Sequence, residues 1–239
     1  MKRLGINIDH VATVRNARRS YHPDPFNIAK HVMKCGAHSI TIHLREDRRH
    51  IKDFDVVKIC KNKKIITNLE ISLNDEIIKI ALKNKPNFIC IVPEKRKEVT
   101  TEGGLNLSKN LNKIRKIIKI FKKKKIRTSL FIDPNLKDIK IAKELDADCI
   151  ELHTGKISDL IKSQKNYTHE YKKIQKCCKL AKNIAMEVHA GHGLDYKTTA
   201  ILSKLNKIEE FNIGHFIIGE SIVHGLKRTI KKFKKISNS

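Results

Sequence analysis

The chain has 239 residues, 40% of them hydrophobic, and 51 Lys and Arg against 25 Asp and Glu give it a formal charge of +26. That length supports a sizeable core, and no run of about 18 apolar residues is present, so no membrane-spanning helix and no membrane partner are expected. With 5% aromatic residues and no Trp, the chain offers little for the base-stacking platforms of single-strand binders.

The lysines travel with isoleucine and asparagine, as in KNKKIITN and LNKIRKIIKIFKKKKI. That pattern reads as compositional drift over a solvated surface, so no nucleic-acid partner is expected. Six cysteines are scattered without a C-x-x-C pair, which fits reduced thiols. The opening MKRLGINIDH lacks the apolar region of a secretory signal, and the expected compartment is the cytoplasm.

In chain order, β-rich runs are predicted at 4–10, 39–45, 65–72, 87–94, 127–133, 149–155, 185–193 and 210–215. Amphipathic stretches separate them, among them DVVKICKN, NDEIIKIALKN, NKIRKIIKIFKKKK and DIKIAKEL. The segments 155–183 and 95–126 are long for single crossovers and are expected to hold extra helices. A last helix is expected from about Gly219 to the end of IVHGLKRTIKKFKKI. Eight strands alternating with helices predict an α/β fold, a (β/α)8 TIM barrel with additional helices, against an open doubly wound sheet as the competitor. No Pro/Ser/Gly-rich linker divides it, so residues 1–239 form a single expected domain.

Six of the runs alternate. Ile6 and Ile8 oppose Asn7 and Asp9; Ile40, Ile42 and Leu44 oppose Thr41, His43 and Arg45; Leu69 and Ile71 oppose Asn68 and Glu70. Ser129 and Asp133, Glu151 and His153, and Glu187 and His189 continue the polar side. Parallel strands are normally buried on both faces, so a polar face is expected to line the barrel interior and to cluster toward the C-terminal ends of the strands. The expected titratable set there is His43, Glu70, Glu151, His153, His192 and His215, beside Asp9, His10, Arg18, Arg45 and His50. HAGHGLD and NIGHFIIGES close strands seven and eight with glycines, the place where barrels often hold phosphate. EKRKEVTTEGGLN (94–106) is a polar loop suited to a lid or clamp. Two chemistries fit: metal-free proton transfer on phosphorylated carbonyl compounds, and metal-assisted hydrolysis. No closely spaced His pair ends strand one, which favours the first. A basic nucleic-acid-binding protein on a barrel scaffold is the non-enzymatic alternative.

NIDHVATVRNAR, GAHSITIHLREDRRHI, NLEIS, IVPEKRKEVTTEGGL, SLFID, IELHTG, AGHGLDY and NIGHFIIGES together resemble the pyridoxine 5'-phosphate synthases. These are the ring-closing enzymes of the deoxyxylulose-dependent vitamin B6 pathway. The resemblance runs in order from residue 5 to about 226. It implies a (β/α)8 barrel with additional helices, assembled as a homo-octamer (a tetramer of dimers) and working without metal or organic cofactor. It implies two phosphorylated substrates, 1-deoxy-D-xylulose 5-phosphate and 3-amino-2-oxopropyl phosphate, condensed to pyridoxine 5'-phosphate, phosphate and water. Carried over by motif, His43 and Glu70 are proton acceptors, His192 a proton donor, and Glu151 a stabiliser of the transition state. Asp9, His10, Arg45, His50 and Thr100 match positions that hold the deoxyxylulose phosphate. Asn7, Arg18, Gly193, Gly214 and His215 match those that hold the amino-ketone phosphate. Two positions depart from the family: His189 stands where Asn is usual, and Glu220 where Arg is usual. The first is expected either to keep a hydrogen bond that Asn made or to bring a titrating group near His192, the second to bring a negative charge near a phosphate site.

Overall fold

In the computed structural model, residues 1–94 and 103–238 are described. Eight parallel strands close into a barrel in the order β1 to β8. They are β1 (Arg3–Asn7), β2 (Ser39–His43), β3 (Thr67–Ile71), β4 (Phe88–Ile91), β5 (Arg127–Ile132), β6 (Cys149–His153), β7 (Glu187–Gly191) and β8 (Glu210–Ile213). All eight lie inside the runs predicted from sequence except β1, which begins one residue earlier.

The outer ring follows from helical spacing. In α5 (Leu111–Lys123), Ile114, Ile117, Ile118 and Phe121 are buried, an i, i+3, i+4, i+7 stripe against the sheet. Its lysines and Arg115 point to solvent, Lys122 in part. Side chains cap several helix starts and supply partners for their free N–H groups. Asp24 Oδ1 accepts from the Phe26 N–H at α2 (Pro25–Lys34), Asn74 from Glu76 and Ile77 at α4 (Asp75–Asn84), and Asn135 from Lys137 at α6 (Leu136–Glu144). The buried Arg15–Asp55 pair, with bonds of 2.7 and 2.8 Å, ties α1 (Asp9–Ala17) to α3 (Asp53–Lys61).

Additional helices stand where the chain is longest. The segment 155–183 holds both α7 (Gly155–Lys162) and α8 (Thr168–Asn183), as expected, and β1 is followed by both α1 and α2. Within 95–126, α5 is the one helix among the described residues. The last helix differs from its expectation. The chain enters α10 (His215–His224) directly from β8, breaks at Gly225 with φ of 75°, and resumes as α11 (Leu226–Ser237). Glycine takes that left-handed angle without a Cβ clash. The break lets α11 fold back, and its Phe233 packs with Phe216 of α10 and with Tyr196 of α9 (Tyr196–Ser203).

The barrel interior is polar, and it is layered. At the floor, Arg3 pairs with Glu187 and Glu210, and Arg127 pairs with Glu187 at 2.7 Å and lies over the Phe88 ring. His189 belongs to this floor. Its Nε2 is 2.8 Å from Glu187 Oε1 and 3.2 Å from Arg3, so it is not placed beside His192 as expected. Alternation gives the side of a strand a residue occupies, not its height; Glu187 starts β7, and His189, its third residue, bonds back to it. The clustering of inward polar residues toward the strand ends is therefore half of the pattern: the floor is equally charged. Midway up, Asn212 donates to Glu151 at 2.7 Å, Thr41 bonds Asn212 at 3.5 Å and Asn68 bonds Thr41 at 3.3 Å. Cys90, Val92 and Phe131 form a small apolar cluster apart from the main core.

Candidate active site

The C-terminal mouth divides into two halves. On the β1–β4 side, α1 starts two residues after β1, which sets Asp9 in its first turn. Asp9 Oδ1 accepts from the His43 backbone N–H at 2.9 Å, and Asp9 Oδ2 accepts from Asn7 Nδ2 at 2.9 Å. His43 ends β2. Its Nδ1 is 3.7 Å from Glu70 Oε2 and its Nε2 is 3.5 Å from Glu94 Oε2. His50 lies with its ring 5.9 Å from that of His43 and its Nδ1 3.8 Å from Asp9. Donor atoms of Asp9, His43 and His50 all lie within 4.8 Å of one another. Arg45 reaches Asp47 at 3.3 Å and Glu94 at 3.5 Å.

On the β5–β8 side, His153 Nδ1 is 3.2 Å from Asp133, and its ring lies 4.8 Å from that of His192. His192 and Gly193 take φ of 76° and 77° in succession. The buried Thr154 hydroxyl points at the Gly191 and His192 carbonyls, 2.7 Å from each, and holds this turn. His10 faces His215 at 4.9 Å between rings. Gly214 precedes α10 with no side-chain cap, which leaves the first N–H groups of that helix free for an anion. A Cβ on Gly214 would press on Asn7 at 2.9 Å.

Burial sets the charge states. Desolvation, then the charges of Asp9 and Glu151, push the Glu70 carboxyl well above the usual range. Burial pushes Glu151 up to about 7 against the opposing pull of His189 and Asn212. His192 is pushed down to about 4, by burial first and by His153 second. Burial lowers His10 and His50 as well. Two adjacent carboxyls that hold protons and imidazoles that shed them suit proton shuttling near neutral pH.

Asp9, His43, Arg45, His50 and Glu70 therefore gather in one half of the mouth. Glu151 lies below, His192 and Gly193 lie across from them, and His10, Gly214 and His215 meet where β8 pairs with β1. Arg18 is exposed at the C-terminal end of α1. Thr100, and with it most of the loop read as a lid, lies outside the described residues. Glu220 faces His224 at 3.8 Å and Tyr196, beyond the first turn of α10. Sequence reading gave no individual role to Glu94 or Asn212, and it set Asp133 and His153 on the inner face without pairing them. The alternation Glu210–Asn212 in EFNI could have revealed Asn212. Glu94 lies three residues past β4, where alternation has ended.

The family described as "Pyridoxal phosphate biosynthesis protein PdxJ" matches residues 4–239. The chain belongs to this family. A pyridoxine 5'-phosphate synthase from Pelagibacter ubique is 78% identical over 238 residues, covering 100% of both chains. One from Zymomonas mobilis is 45% identical, covering 99% of this chain and 92% of the other. These relatives are enzymes of vitamin B6 synthesis, and the chain matches them over nearly its whole length. At 13% identity, a phosphoribosylanthranilate isomerase from Thermotoga maritima superimposes with a TM-score of 0.61 over 99% of this chain and 98% of its own. That likeness concerns the barrel alone.

Proposed function

We propose that this chain, working as a single barrel domain, condenses 1-deoxy-D-xylulose 5-phosphate with 3-amino-2-oxopropyl phosphate into pyridoxine 5'-phosphate, phosphate and water. One observation carries the reading: Glu70 and Glu151, both held above the ordinary carboxyl range, share one barrel mouth with His43 and His192. Ring closure needs imine formation, phosphate loss, repeated proton transfers and dehydration. A carboxyl that keeps its proton near neutrality serves as acid and, once emptied, as base. Glu70 and His43 take protons from the substrate carbons, and Glu151 steadies the charge that develops below them. His192 is neutral in the free site. A phosphate dianion bound by Gly193, Gly214 and the start of α10 raises its proton affinity, which loads it as the donor. Arg45, His50, Asp9, His10 and Thr100 hold the deoxyxylulose phosphate; Asn7, Arg18 and His215 complete the amino-ketone site. No metal or organic cofactor has a step in this scheme. The reading includes a cytoplasmic octamer and no nucleic-acid partner. No helix among the described residues is long and apolar enough to cross a membrane.

Pure protein incubated with both phosphorylated substrates tests the proposal: chromatography is expected to find pyridoxine 5'-phosphate and released phosphate. Their absence overturns it. The Asp9–His43–His50 grouping favours one second reading, a metal-dependent reaction. Activity that is lost on chelation and restored by zinc supports that reading instead.

A further inference from the structure

The geometry points to Glu94 as a positioning residue that fixes which nitrogen of His43 carries hydrogen. The inference rests on the reading of His43 as a base. His43 stands between two carboxyls, with Glu70 at Nδ1 (3.7 Å) and Glu94 at Nε2 (3.5 Å). The two carboxyls are not equivalent. The Glu94 side chain is 1% exposed, and its Oε1 is held from behind. The Glu46 N–H donates to it at 2.8 Å, and an Arg45 guanidinium nitrogen lies 3.5 Å away. Ser72 Oγ in turn donates to the Glu46 carboxylate at 2.9 Å. Oε1 therefore faces two donors, and only Oε2 is left for the ring.

His43 Nε2 and Glu94 Oε2 are both buried and have no other hydrogen-bond partner among the described residues. Buried polar atoms left unpaired are rare. The pair is satisfied when Nε2 carries hydrogen and points it at Oε2, and the lone pair then sits on Nδ1, toward Glu70 and the mouth. Burial works against the Glu94 carboxylate, yet His43, the Glu46 N–H and Arg45 together hold it below the usual carboxyl range. It stays an acceptor where Glu70 keeps a proton. The logic is that of a carboxylate orienting an imidazole base in a catalytic triad.

Glu94→Gln makes the test sharp. The amide oxygen stays at the Oε1 position, because the Glu46 N–H donates there and the Arg45 guanidinium faces it at 3.5 Å. The NH2 group then faces Nε2 and reverses the tautomer, which removes the lone pair from Nδ1. Nitrogen-15 NMR of histidine-labelled protein is expected to report hydrogen on Nε2 of His43 in the natural chain and on Nδ1 in E94Q. The kcat of E94Q is expected to fall about 10²-fold or more, the loss typical of a misplaced base, with KM for both substrates within about twofold and the unfolding midpoint unchanged. The double variant E94Q/H43Q is expected to be no slower than H43Q, since the two residues act as one unit. An unchanged tautomer in E94Q, or rate losses that simply multiply, overturns the inference. If H43Q itself keeps the full rate, the reading of His43 as a base falls, while the NMR result still decides whether Glu94 sets the ring.

Discussion

Glu70 and Glu151 share a buried interior; burial raises the proton affinity of both, and the charges of Asp9 and Glu151 add to it at Glu70. Glu70→Gln keeps size and loses the proton-accepting oxygen. Its single-turnover rate is expected to fall about 10²–10⁴-fold, with substrate affinities by calorimetry nearly unchanged because other groups hold the phosphates. A rate above about half that of the natural chain would remove Glu70 from the scheme. Glu151 makes a second, separate prediction. Its folded value of about 7 lies above the ordinary 4.5, so the folded chain binds more protons than the unfolded chain between those values. Its contribution to stability is full below about 4.5 and is lost as pH rises through about 7. In Glu151→Gln that decline is expected to shrink by roughly 3 kcal/mol, read from denaturant midpoints across the window. Glu187, held low by His189, Arg127 and Arg3 against its burial, acts in the opposite sense, and its contribution disappears in acid.

The turn after β7 shows how an element holds a residue in place. His192 takes a left-handed backbone angle that a residue with a Cβ rarely adopts, and Thr154, at the N-terminal cap of α7, secures it from the neighbouring strand. Thr154→Val keeps the shape and removes the hydroxyl donor from the turn, while the Thr154 N–H still serves the Gly191 carbonyl. It is expected to cost about 1–3 kcal/mol in unfolding free energy and to raise KM for the amino-ketone substrate more than for its partner. The strands and the polar direction of their inner faces were legible because Ile, Leu and Val alternate with Asn, His and Glu over five residues. Height within the barrel was not. It depends on how strands are staggered, so Glu187 and His189 could not be told from mouth residues, and nothing singled out Arg3 and Arg127. Glu94 was hidden because it follows a strand instead of lying in one. The break at Gly225 was hidden because the amphipathic pattern continues on both sides of it.

At the scale of the whole molecule, the exposed lysines decorate helix faces whose opposite stripes are buried, as in α5, while the surface also carries apolar side chains. Ile222 and Val223 near the end of α10 are 82% and 76% exposed, and Tyr21 is 95% exposed. Contiguous exposed apolar residues mark association surfaces, in line with the proposed octamer. Ile222→Glu with Val223→Glu is expected to yield smaller species in sedimentation velocity; an unchanged octamer would place the contact elsewhere. The floor of the barrel has a different consequence. Arg3 and Arg127 against Glu187 and Glu210 close the bottom with matched charge, so the vessel has a single doorway. Two reactants must come in and three products must go out through it, and whichever reactant settles deeper is trapped once the other sits above it. Traffic of that kind imposes a queue: initial-rate and dead-end inhibition patterns are expected to show compulsory-order addition, with the last molecule in standing in the path of the first one out.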